Sequence, residues 1–167
     1  MKAQEIVDKV ERNLEFKEWK KSNSKSYLAH IFHMIDSSNT CSWQVGYYNP
    51  DDTITTFIVE SEEIKIVPEE KVFKKTKKKV KRLDLMEVEI DIDKALEIAE
   101  NFQKEKCKGN EPAKIILVLQ DIAKSNIYNI SYITKSINLL NMKIDAKNGN
   151  IISYDLTPLM QFTGKAS

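Results

Sequence analysis

Residues 93–146 read DKALEIAENFQKEKCKGNEPAKIILVLQDIAKSNIYNISYITKSINLLNMKIDA, and residues 8–61 carry the same plan 85 positions earlier, without a gap. The identical pairs include Asp8/Asp93, Lys9/Lys94, Glu15/Glu100, Ile31/Ile116, Asp36/Asp121 and Tyr47/Tyr132. The shared pattern says more than these letters do. Each stretch reads as an amphipathic helix, a polar break, an apolar strand, a turn, an aromatic alternating strand, a second turn and a strand ending in a carboxylate. A repeat of this length implies a unit built twice.

In the first copy Ile6, Val10 and Leu14 recur every fourth residue beside Val7, which predicts a helix over residues 3–20 with one buried stripe. In the second, Asp91 is placed to cap a helix whose stripe is Ile92, Ala95, Ala99 and Phe102, and the two alanines allow close approach to a sheet. SNSKS and KGNEP then reverse the chain. The strand at residues 27–36 alternates Leu28, His30, Phe32 and Met34 with Ala29, Ile31, His33 and Ile35. KIILVLQD at residues 114–121 is apolar on both faces, which suits the middle of a sheet or a face covered by another copy or a partner. Trp43, Val45 and Tyr47, like Tyr128, Ile130 and Tyr132, alternate with polar or small residues and call for one buried side. Loops of hairpin length make neighbouring strands antiparallel. Final strands at residues 54–60 and 139–145 are followed by Ile64 to Ile66 in the first copy and by Ile151, Ile152 and Tyr154 in the second. The reversal before the latter carries Asn148-Gly149, with Asp145 accepting amide hydrogen bonds of the turn and Asn148-Gly149 supplying positive φ. The expectation is therefore an α+β protein of two tandem, pseudo-symmetric modules, each a helix on an antiparallel sheet, with the two sheets able to join. Residues 1–66 form the first module, 67–90 a basic connecting segment, 91–156 the second module and 157–167 a tail. Within the connection, Val72, Phe73 and Val80 and the alternation of LDLMEVEI allow a connecting strand.

With 167 residues and 41% hydrophobic content the chain can bury a core, and a net charge of +1 provides no global attraction to nucleic acid or an anionic membrane. No run approaches the roughly 18 apolar residues of a membrane helix, and the start is charged, so the expected location is the cytoplasm. Cys41 and Cys107 do not occupy equivalent positions, which favours reduced thiols over a structural disulfide.

The second copy resembles the PepSY domain family through IDIDKALEIAENF, YNISYI and NMKIDAKNGNIIS. Ala95, Leu96 and Ala99 match the helix signature of that family, and Ile144, Asp145, Ala146, Gly149 and Ile151 match its strand-and-turn ending. The first copy looks like a degenerate version, with Glu60 in place of the Asp and no Gly in its turn. The resemblance implies a helix packed on an antiparallel sheet in each module, a PepSY-like and cystatin-like arrangement, and a role in binding or inhibiting peptidases.

Catalytic chemistry is sought and not found in the residue pattern. His30 and His33 lie three apart on a strand and point to opposite faces, so they do not share a metal ion. No motif positions Cys41 against a histidine and Asp36 as a nucleophile. Glycine-rich phosphate loops are missing, and the turn at Asp145 lacks the alternating oxygens of a calcium loop. No cofactor or metal is expected. The leading reading is a non-catalytic protein- or peptide-binding module, monomeric or homodimeric, with Tyr47, Tyr48, Tyr132, His30 and His33 as candidate contact residues and an exposed aromatic such as Tyr48 or a free strand edge receiving the partner. One alternative is a ligand pocket or enzyme between helix and sheet using His30 or His33 with Tyr47. Another is a nucleic-acid accessory role for Lys74, Lys75, Lys77, Lys78, Lys79, Lys81 and Arg82, although these lack interleaved stacking aromatics and read more readily as a solvated connection.

Overall fold

The structure is a computed structural model, and it describes residues 1–37, 42–71 and 79–160. Helices α1 (Ala3–Arg12) and α2 (Leu14–Ser22) are followed by strands β1 (Tyr27–Asp36), β2 (Trp43–Tyr48), β3 (Thr53–Glu60) and β4 (Glu63–Lys71). After a short 3₁₀ turn at Leu85–Glu87 come α3 (Ile92–Lys106), β5 (Pro112–Ile122), β6 (Ser125–Thr134), β7 (Asn138–Asp145) and β8 (Ile151–Pro158). Among the described residues all the strands join in one antiparallel sheet of eight, ordered β4-β3-β2-β1-β5-β6-β7-β8.

The seam of this sheet is the pairing of β1 with β5, in which Ile31 lies opposite Leu119 and His33 opposite Leu117. KIILVLQD thus takes the central place that its two apolar faces require. Because cross-strand partners share a face, the rows can be followed across the sheet. One row runs Ile66, Phe57, Val45, Ile31, Leu119, Tyr128, Ile144 and Ile151; the next runs Ile64, Val59, Trp43, His33, Leu117, Ile130, Met142 and Tyr154. Apart from their exposed ends at Ile66 and Tyr154, these rows form the floor of the hydrophobic core, and the helices cover it. On α3, Ile92, Ala95 and Ala99 are buried, Asp91 accepts the Lys94 amide at 2.8 Å, and the small alanines bring the helix against β6 and β7.

The first helix departs from its predicted course. Asn13 takes an extended backbone conformation and its side chain accepts the Glu15 amide at 2.8 Å, capping a new helix. The break rotates Leu14 out of the stripe, leaving it 76% exposed, while Phe16 turns into the core. Phe16 and Trp19 then pack against Tyr47 and Phe57, with ring centroids 5.1 to 5.6 Å apart. The larger aromatic cargo of α2 explains the break: one straight helix would have aimed Leu14 inward and carried these rings past β2 and β3.

The gapless alignment of residues 8–61 with 93–146 also slips by one residue in the first strand. Val45 and Ile130 share the core face, but their neighbours toward the seam are Ile31 and Leu117. Ile116, the aligned partner of Ile31, consequently points to the opposite face, since a shift of one residue reverses every side chain.

The connecting segment is not a free linker throughout. Strand β4 extends to Lys71, beyond the expected boundary at residue 66. Val72 and Phe73 lie outside the described residues, whereas the later part is stitched to both halves of the sheet. Leu83 is buried and its amide donates to the Leu28 carbonyl; Asn126 Nδ2 donates to the Asp84 carbonyl at 2.6 Å; the Glu89 and Ile90 amides donate to the Ala146 carbonyl. These bonds hold LDLMEVEI as coil with a 3₁₀ turn rather than a strand.

Candidate binding face of the sheet

The sheet has a second face, on the side away from the three helices. Its central rows run Ile58, Gln44, Phe32, Val118, Asn129 and Lys143, then Met34, Ile116, Ser131, Asn141 and Asp155. Phe32, Met34, Ile116 and Val118 therefore form an apolar stripe astride the seam, and each remains partly open to solvent. Hydrogen-bonding side chains frame it. Asn141 Nδ2 donates to Asn129 Oδ1 at 2.7 Å and to Ser131 Oγ at 2.8 Å, which fixes these amides as a flat polar border. A depression of about 580 Å³ lined by Phe32, Met34, Ser42 and Gln44 among others adjoins the stripe at one end.

His30 belongs to this face and sits at the edge of the stripe. Its ring lies directly over Gly46: a Cβ added there would fall 2.2 Å from His30 Cε1 and 2.6 Å from Nε2. The glycine is required by the close approach of the imidazole, and burial lowers the pKa of His30. His33 stands on the core face, stacked on Trp43 with centroids 3.9 Å apart and planes inclined by 10°. Its Nδ1 lies 3.3 Å from the Ser42 carbonyl oxygen, and burial lowers its pKa against the opposing effect of that contact. The two imidazoles are separated by the sheet itself.

The three candidate tyrosines are buried. Tyr47 and Tyr132 project into the core under α2 and α3. The Tyr47 hydroxyl donates to Glu11 Oε1 at 3.1 Å, and burial, then Glu11, raise its pKa far above the usual range. Burial, with a contribution from Glu100, pushes Tyr132 up to about 12. Tyr48, expected as an exposed contact residue, is only 3% exposed: it packs on Tyr27 with centroids 5.5 Å apart and its hydroxyl donates to Asp52 Oδ1. A strand aromatic beside a neighbouring aromatic and a turn carboxylate buries both its ring and its polar tip. Tyr47 and His30 occupy opposite faces, so they do not meet in one pocket. His33 shares the face of Tyr47 but pairs with Trp43, four residues along β2.

Of the basic cluster, Lys74, Lys75, Lys77 and Lys78 lie outside the described residues. Lys79, Lys81 and Arg82 are exposed, and the Arg82 guanidinium stands 5.0 Å from the centroid of the Tyr27 ring. Lys81 and Arg82 border a surface hollow of about 470 Å³ together with Asp84, Glu87, Asp121 and Asp145, so acidic groups offset their charge. At the predicted turn, Asp145 Oδ1 accepts the Lys147 amide at 2.7 Å and Gly149 alone adopts positive φ, at +78°, while Asn148 Oδ1 accepts the Asn150 amide. Cys107 is buried and burial raises its pKa; Cys41 lies outside the described residues. Among the described residues no group of three His, Cys, Asp or Glu side chains is arranged to hold a metal ion.

The signal for the open-face stripe was present in KIILVLQD, whose second apolar face was legible as needing cover. Phe32 and Met34 were harder to assign, because their alternation with His30 looks like an ordinary half-buried strand.

Strands, helices and open face together define an α+β protein built on a single antiparallel sheet shielded on one side. A crystal structure of a candidate lipoprotein from Clostridium difficile 630 shares this fold, with a TM-score of 0.58 and 17% sequence identity over 85% of this chain and 90% of that one. No protein-family model matches the chain, and no curated protein does. Among the described residues no helix is long and apolar enough to cross a membrane.

Proposed function

We infer that this chain is a non-catalytic module that binds a polypeptide partner on the open face of its sheet. The observation that carries the reading is the stripe of Phe32, Met34, Ile116 and Val118, apolar at its centre and bordered by Gln44, Asn129, Ser131 and Asn141. An apolar patch rimmed by hydrogen-bonding groups is the arrangement a protein interface uses. The same reading takes the chain as a duplicated PepSY-like unit. Two features support it: the strand order is the same outward from the seam in both directions, and Val45 and Ile130 share a face, as do Phe57 and Met142. A peptidase is the class of partner that the resemblance implies.

The test is capture of partners from extract by the purified protein and by a Val118→Lys variant. This substitution places a charge on the open face without touching the core. A discrete protein partner bound at fixed stoichiometry by the wild type and lost by the variant, whose thermal melt stays cooperative, is the expected result. Retention of the same partner by Val118→Lys, or recovery of nucleic acid alone, would overturn the reading.

A further inference from the structure

The two edges of the sheet are built differently. Strand β4 reads EIKIVPEEK, so one edge carries five charges and Pro68, which has no N–H to donate. A register shift between Ile54 and Thr56 of its neighbour adds a bulge. Each of these devices discourages another strand from adding to an edge. Strand β8 reads IISYDLTP, and from Ile151 to Thr157 its only charge is Asp155. Ile152, Tyr154 and Leu156 are 54%, 55% and 40% exposed. Strand β8 has a register shift of its own at Ile152 and ends in Pro158, but from Ser153 to Thr157 it carries neither device and a single charge, so this stretch is left competent for pairing.

The hydrogen-bond phase says which groups of β8 are available. The Leu159 amide donates to the Ile137 carbonyl, which makes Asn138 and Pro158 a pair that exchanges no bonds and leaves Leu139 with Thr157, Asn141 with Asp155 and Lys143 with Ser153 as the bonded pairs. The other side of β7 confirms this alternation, since the Ala146 amide donates to the Asn126 carbonyl. Ser153, Asp155 and Thr157 thus turn their main chain toward β7. The N–H and C=O groups of Tyr154 and Leu156 point outward from the sheet.

We propose that β8 pairs antiparallel with β8 of a second copy of this chain, about a two-fold axis through Tyr154, extending the sheet across a homodimer. Tyr154 then exchanges both main-chain bonds with Tyr154 of the second copy, and Leu156 stands beside its Ile152, where the register shift of β8 ends the regular pairing. Charge favours this register over one centred on Asp155. Centred on Tyr154, Asp155 stands opposite Ser153 of the second copy, whose hydroxyl can donate to the carboxylate; centred on Asp155, two like charges would face each other. The protected β4 edge blocks head-to-tail addition, so the contact closes as an isologous dimer rather than a fibre. A single strand pair is a small interface, and the dimer is accordingly weak and concentration-dependent. This pairing uses the edge and not the open face, so it stands or falls separately from the partner binding proposed above.

The test is sedimentation velocity on the intact purified chain up to a concentration on the order of 100 µM, where weak dimers are populated. The wild type should shift from monomer to dimer. Leu156→Pro removes an outward N–H that β7 does not use, and should remain monomeric with an unchanged circular dichroism spectrum. Ser153→Asp should weaken the dimer and Ser153→Lys strengthen it, each by roughly tenfold, because the contact with Asp155 occurs twice about the axis. A wild type monomeric throughout, a Leu156→Pro variant that still dimerises, or Ser153 variants that move the equilibrium in the same direction would each overturn the proposal.

Discussion

Replacing Gly46 by Ala tests how the open face is assembled. The new methyl carbon would lie 2.2 Å from His30 Cε1, 2.6 Å from Nε2 and 2.8 Å from Nδ1, well inside contact distance, so the imidazole must move off the strand. Overpacking of this kind costs about 1–3 kcal/mol. Against it, Ala is favoured over Gly within a strand by about 0.5–1 kcal/mol, chiefly through backbone entropy. The net expectation is a destabilisation of up to about 2.5 kcal/mol, or a fall in Tm of up to roughly 10 °C for a chain of this size. In a His30→Ala background the clash is gone, and the same Gly46→Ala change should stabilise by about 0.5–1 kcal/mol. The double-mutant cycle, measured by urea unfolding of the four proteins, should therefore return a coupling of about 1–3 kcal/mol. A coupling near zero would refute the placement of the ring over the glycine.

Three further outcomes follow from the same structure. Asn13→Ala removes the cap at the break between α1 and α2 and should cost about 1 kcal/mol in chemical denaturation, while Leu14→Ser, at an exposed position, should cost little. Gly149→Ala places a side chain at φ +78° with its Cβ 2.9 Å from Ile98 Cδ1, and should lower stability by roughly 1–3 kcal/mol through backbone strain and contact with α3. Burial lowers the pKa of both histidines in the folded state, so the unfolded chain binds more protons just below the unperturbed value of about 6.5. Stability should be fully present above that pH and decline as pH falls through the lowered folded values; Tm measured between pH 7.5 and 5.5 should flatten when His30 and His33 are both replaced by Gln.

Much of the architecture was legible because it rests on periodicity. The alternation of Trp43, Val45 and Tyr47, of Tyr128, Ile130 and Tyr132, and the unbroken apolar run of KIILVLQD placed these strands correctly, and Asp91 marked the start of α3. Hydrophobic spacing failed where a polar residue decided the geometry. Ile6, Val10 and Leu14 continue one stripe on a helical wheel, yet the side chain of Asn13 competes for the backbone and ends the helix before Leu14. The gapless alignment similarly concealed a one-residue slip, since sequence identity at Ile31 and Ile116 carries no information on which face each isoleucine occupies. Tyr48 looked exposed because its partners, Tyr27 and Asp52, come from another strand and a turn. The open stripe escaped full recognition for a related reason: Phe32 and Met34 become one patch with Ile116 and Val118 only once β1 and β5 lie side by side.

That side-by-side placement has a kinetic consequence. Every other strand pairing joins neighbours in sequence, and can form as soon as its own turn closes. The seam instead unites strands whose paired residues lie from 78 (Asp36 with Lys114) to 90 (His30 with Gln120) positions apart, and must meet its loop-closure entropy before any bond across it contributes. Refolding should therefore protect the amides of β2–β3 and β6–β7 from hydrogen exchange before those of β1–β5, and simultaneous protection would argue against this order. Until the seam zips, β1 and β5 are unpaired on their facing edges and apolar on both sides, which makes the half-assembled chain the form most exposed to aggregation.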